Sequence, residues 1–165
     1  MTRTLAVLLG VVTLVATGCS SDPGPEESRA VVQEMHDGVV DTVRDLSDAL
    51  SEKGIEVVSA AGDYSVCGVE PASSVEFGAG AGTSVDSGTI AEQLDVVRAV
   101  VRDAGWEEDG SEKQVYALKD DLRVSASEAR AEPGTLAIEV VHDCVDADRD
   151  VVDELLSAGG EQIIG

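Results

Sequence analysis

The sequence predicts an α+β fold: an antiparallel sheet of about five short strands, two main helices packed on one face, and a short C-terminal helix. Three observations carry this. Two segments repeat apolar residues at steps of three and four, the spacing of one helix face. Several segments of five to seven residues alternate or are β-branched, as strands are. The turn signals between the later ones are short, which joins neighbours as hairpins and places helices on one side of an antiparallel sheet.

The first helix is expected from about Ser28. Val32, Met35, Val39, Val43, Leu46 and Leu50 share a face, and Glu34, Asp37, Asp41, Arg44, Asp45 and Asp48 fall opposite. Lys53-Gly54 is a C-terminal signal. Gly38 costs the interior about 1 kcal/mol, so packing must hold this helix. Two strand fragments follow, Ile55 to Ala60 and Tyr64 to Val69, with Gly62-Asp63 read as a turn. Ser74 to Phe77 is another short strand, and Gly78 to Gly82 reads as a flexible connection. Thr89 and Glu92 form a capping box for the second helix. Its Ile90, Leu94, Val97 and Val101 share a face, and Arg98 and Arg102 lie near its negative end. Gly105 ends it, and Trp106 is placed to fold back on the helix end.

Three more strands are expected: Gln114 to Leu118, Leu122 to Glu128 and Leu136 to Val141. Asp120-Asp121 separates the first two, and Pro133-Gly134 separates the last two. Asp148 or Asp150 caps a short last helix through Val151, Val152, Leu155 and Leu156.

The N-terminus follows different rules. Arg3 precedes an uncharged apolar run from Leu5 to Val15, and small residues lead to Cys19. This is the pattern of a signal peptide. The run falls short of the roughly 20 apolar residues that a spanning helix needs. Val15-Ala16-Thr17-Gly18-Cys19 resembles the lipobox of bacterial lipoproteins, with Ala16 where that family more often has Leu. The resemblance implies a diacylglyceryl group on the Cys19 sulfur and cleavage before that residue. The chain then divides into a signal peptide (1–18), a lipid-anchored tether (19–27), one α+β domain (28–157) and a flexible tail (158–165). Localisation follows: the outer, extracytoplasmic face of the cell membrane.

Three cysteines would leave one thiol over. Giving Cys19 to the lipid leaves Cys67 and Cys144 as a pair, which can stay oxidised outside the cytoplasm. A bond between them closes a loop of about 77 residues, worth on the order of 4 kcal/mol by loop-closure entropy.

The formal net charge is −22, from 33 acidic and 11 basic residues, one of which, Arg3, leaves with the signal. Such a balance repels phosphate backbones, so nucleic acid is excluded as a partner. It also opposes adsorption to anionic lipid, so an anchor must hold the chain to the membrane. Dual acylation suffices, since one acyl chain binds only marginally.

Motifs for chemistry are weak. His36 and His142 are the only histidines, lie far apart and read as structural. No set of Cys, His or carboxylate ligands has the spacing of a zinc site. Asp146-Ala147-Asp148-Arg149-Asp150 imitates a calcium loop, but Val151 and Ser157 stand where Gly and Glu are needed. Gly78-x-Gly80-x-Gly82 lacks the later glycine of a dinucleotide fingerprint, because Thr83 is there. Gly82-Thr83-Ser84-Val85-Asp86 lacks the last Gly of a nucleophile elbow. No cofactor, metal or catalytic residue is assigned.

The order of elements adds a second resemblance. A helix, a cysteine strand, a helix ending in Ala104-Gly105-Trp106, hairpins and the cysteine strand at His142-Asp143-Cys144 look like small actinobacterial secreted lipoproteins of the LppA-like kind. It covers most of the mature chain and carries no catalytic residue to transfer. Two function classes stay open. One is a non-enzymatic module that binds an envelope protein, a peptide or a small ligand. The other is an envelope hydrolase using His142 with Glu139 or Asp143. A shallow apolar concavity favours the first, and a deep pocket gathering His142 with two carboxylates favours the second. The sequence does not specify the oligomeric state.

Overall fold

The structure is a computed structural model that describes residues 23–68, 73–85 and 88–165. Cys19, the signal segment and most of the tether lie outside the described residues.

Helix α1 spans Pro25–Ser51. It starts earlier than expected and takes in the last residues assigned to the tether. Pro25 suits a first helical position because its φ is preset and its missing N–H would have no partner there. Glu26 and Glu27 add favourable charge in the first turn. The expected apolar face is buried, with Val40 added to it. Each such side chain contributes about 1.5–3 kcal/mol, which outweighs the cost of Gly38.

The strands are β1 (Ile55–Cys67), β2 (Ser74–Val85), β3 (Glu107–Glu108), β4 (Gln114–Lys119), β5 (Leu122–Glu128), β6 (Leu136–His142), β7 (Val145–Asp146) and β8 (Glu161–Ile164). Helices α2 (Ile90–Asp103) and α3 (Arg149–Ala158) complete the elements. The described strands form one antiparallel sheet in the order β3-β4-β5-β6-β2-β1-β8, and β7 pairs with β2 beside β6. The fold is therefore α+β, with three helices and eight strands among the described residues in place of about five strands. The additions β3, β7 and β8 are two to four residues long, too short to give a periodic signal.

Three expectations are corrected. Gly62-Asp63 is no turn: β1 runs straight through it. A Cβ at Gly62 would lie 2.3 Å from Phe77 Cζ, so the residue is glycine to admit the ring rather than to reverse the chain. Gly78 to Gly82 is the middle of β2, paired with β1 on one side and β6 on the other. There Ala79 and Ala81 turn toward the helices, and the intervening glycines turn to the other face. The expected tail contains β8, which pairs Glu161, Gln162 and Ile164 with Gly62, Ala61 and Ala60. The outer edge of β1 offers unpaired backbone groups, and β8 satisfies some of them.

Register makes one face the core. Gly62, Ala79, Val140, Val124 and Ala117 form one row across five strands, and Ala60, Ala81, Ile138, Ala126 and Val115 form the next. Helices α1 and α2 cover these rows, adding Leu50, Leu94 and Val97, all fully buried. The opposite face carries Ala61, Gly80, Glu139, Ser125 and Tyr116 in one row, without helical cover.

Caps behave as the sequence reads. Thr89 and Glu92 form a complete capping box, whose hydrogen bonds hold the Glu92 carboxyl below its ordinary value. Gly105 takes φ 81°, and the Trp106 N–H donates to Val101 O at 3.0 Å, folding the ring back onto the helix end. Asp148 caps α3 by accepting from the Asp150 N–H. Ser28, fully buried, ties the start of α1 to that cap by accepting from the Asp148 N–H at 2.8 Å.

Candidate functional site

Cys67 and Cys144 are joined by a disulfide, with Cα atoms 6.1 Å apart. This lies inside the roughly 4.4–6.8 Å that a disulfide spans. The bond ties the end of β1 to the residue before β7, across 77 positions. A Glu76 oxygen comes within 4.8 Å of both sulfurs, but the sulfurs are committed to each other.

Among the described residues, no carboxylate makes a hydrogen bond or ion pair with His142. Along β6, Leu136, Ile138, Val140 and His142 point to one face, and Glu139 points to the other. Glu139 instead lies near the Ser125 hydroxyl, on the open face. His142 Nδ1 is 2.7 Å from Asp143 O, a backbone atom. The strand period therefore separates His142 from Glu139, one of the two acids that the hydrolase reading offers it; the other, Asp143, is its chain neighbour and donates its backbone N–H to Asp121 O at 2.7 Å.

The other histidine has more structure around it. His36 Nε2 is 2.7 Å from Glu161 Oε1, and Nδ1 is 3.1 Å from Asp37 Oδ1. Its ring packs at 4.8 Å, centroid to centroid, from Phe77, and Phe77 lies 4.7 Å from Tyr64. Burial pulls the His36 pKa down, and hydrogen bonds and charge from Asp37 and Glu161 outweigh it, so the net shift is upward from 6.5. Burial raises the Tyr64 hydroxyl above its ordinary 10.0, and the same carboxylates push it further. With both nitrogens facing carboxylates, His36 links α1 to β8, and those carboxylates favour its protonated form. Sequence reading missed it because Glu161 is 125 positions away.

A cleft of about 170 Å³ opens between α1, the end of α2 and the β4–β5 hairpin. Leu46 and Ala49 of α1, Val100 of α2, Trp106 and Leu122 make its apolar walls. Local rules place each wall. Leu46 and Ala49 lie three residues apart on α1, and the Gly105 cap turns Trp106 inward. Thr42, Asp45, Lys119 and Asp120 are its polar lining residues. Lys119 Nζ donates to Ala104 O at 3.0 Å and lies 6.0 Å from the centroid of the Trp106 ring. Asp120 has φ 52°, in the left-handed region, in the two-residue hairpin loop. A second concavity, about 210 Å³, is bordered by Arg29, Tyr64 and Glu154. Arg29 and Glu154 already form an ion pair across it. The Trp106 cleft is the more apolar of the two and is the candidate binding site.

One carboxylate near this end is almost fully covered. Glu108 has a side chain 7% exposed and pairs with both Arg98 and Arg102 of α2. The two arginines expected to act on the helix dipole thus also hold β3.

Among the described residues no helix is long and apolar enough to cross a membrane. Comparison with known protein families, curated proteins and solved structures finds no match for this chain.

Proposed function

We propose that this chain is a lipid-anchored, extracytoplasmic binding module that receives a small apolar ligand in the Trp106 cleft. Cys19 carries the lipid, and the tether is short because α1 begins at Pro25. The Cys67–Cys144 bond supports an oxidising compartment and leaves Cys19 as the cysteine available for acylation. The observation that carries the binding role is the cleft itself, an apolar concavity with a few polar lining residues. Its volume is below the roughly 300–1,000 Å³ of sites for drug-sized molecules, so the ligand is compact.

Trp106 is the only tryptophan in the chain, so its emission reports on the cleft alone. A neutral probe such as cyclohexylmethanol should shift that emission with saturation, and Ala49→Leu, which narrows the cleft, should abolish the response. A response unchanged in Ala49→Leu would place the ligand elsewhere. The anchor is tested separately. Cys19→Ser should lose acyl label and leave the membrane fraction, and an acyl-labelled, membrane-bound variant would contradict the assignment.

A further inference from the structure

We infer that the Trp106 cleft selects organic cations, namely compact ammonium compounds with an apolar body. This rests on the binding role proposed above and names the ligand class of the same site.

The polar lining decides the sign. Asp45 and Asp120 are the two acidic residues that line the cleft, and Lys119 is the one cationic residue among its lining residues. That ammonium is already engaged by Ala104 O, a carbonyl at the C-terminal end of α2, and lies beside the Trp106 ring. It therefore marks a seat for positive charge: a helix end with partial negative charge, an aromatic face and two carboxylates. An anion entering the cleft would face both aspartates, and a cation would replace the Lys119 ammonium in that seat. A cation meets complementary charge, and the chain's net charge of −22 raises cation concentration near its surface.

The residue at φ 52° in the hairpin loop is aspartate, which tolerates the left-handed region as asparagine does. Asparagine keeps the same backbone preference and removes the charge, so Asp120→Asn separates binding from folding.

The test uses the folded mature protein and three probes with one body: cyclohexylmethylammonium, cyclohexylmethanol and cyclohexanecarboxylate, each read through Trp106 emission. The ammonium should bind about tenfold tighter than the alcohol, as expected of one added charged contact worth near 1.4 kcal/mol, and the carboxylate should bind most weakly. Asp120→Asn and Asp45→Asn should each reduce the ammonium's advantage. Lys119→Gln, which vacates the cation seat, should tighten ammonium binding. Equal binding of ammonium and alcohol, or tightest binding of the carboxylate, would overturn cation selectivity and leave the cleft's binding role standing. No response of Trp106 to any of the three would overturn both.

Discussion

The two edges of the sheet are closed by the same device built from different cations. At the β3 edge, Arg98 and Arg102 of α2 hold Glu108, whose side chain is 7% exposed. At the β8 edge, His36 of α1 holds Glu161, whose side chain is 47% exposed. Both edge strands are too short to hold themselves, at two and four residues. Arginine is charged at every pH a protein meets, while histidine changes charge within the ordinary range. One edge is thus fixed and the other is tunable. The candidate cleft lies toward the fixed edge, against α2 and Trp106, where a constant geometry serves recognition.

The largest expected effect comes from the brace behind the tunable edge. Replacing Cys67 and Cys144 together by Ser should lower unfolding free energy by about 4 kcal/mol, read by denaturant titration. A loss under about 1 kcal/mol would show that β1 needs no brace, given that native disulfides typically contribute 2–5 kcal/mol. Next is Glu108→Gln, which leaves the two arginines facing a neutral group. A cost of about 2 kcal/mol is expected, nearly the same at pH 5 and pH 8. A strongly pH-dependent cost would erase the contrast between the edges.

At the other edge His36→Gln should cost about 1 kcal/mol through lost packing on Phe77, and the pH signature matters more than the size. The folded His36 pKa is raised above 6.5, so its stabilisation is full below pH 6.5 and is lost as pH rises through the folded value. Asp37, lowered from 3.8, acts in the opposite sense and loses its contribution only in acid, as pH falls through its folded value. Hydrogen exchange at Glu161 to Ile164 should therefore speed up between pH 5 and pH 8 beyond the intrinsic rate, and His36→Gln should remove that excess. Equal protection factors at both pH values in the native protein would show that His36 does not hold β8. The smallest effect is Gly38→Ala, on a helix face where an added Cβ meets nothing within 4 Å. It should stabilise by about 0.5–1 kcal/mol and leave both edges as they are.

Local signals were legible and long-range ones were not. The α1 face, the Thr89 capping box and the Gly105 turn each depend on residues within a few positions, and each stands where periodicity and cap chemistry place it. The glycines of β2 misled because glycine reads as a loop in isolation. Within the sheet it depends on neighbouring strands: a Cβ at Gly78 would lie 3.3 Å from Val141 of β6, and one at Gly62 of β1 would strike Phe77. Strand β8 needed the free edge of β1, about a hundred residues away in sequence, and the His36–Glu161 pair spans 125. The cleft has the same origin: α1, α2 and the β4–β5 hairpin contribute walls that no single window of sequence contains. Of the site residues, the Cys67–Cys144 pair was accessible by counting cysteines, and Trp106 by its place after a helix cap.

On the proposed function each of the three cysteines has one fate, and a single measurement examines all of them. Mass spectrometry of the non-reduced protein taken from its own membranes should find an N-terminal peptide that begins at Cys19 and carries diacylglyceryl mass. It should also find a Cys67–Cys144 crosslink and no alkylatable thiol. An unprocessed or unacylated N-terminus would contradict the lipid-anchored, extracytoplasmic module at its root.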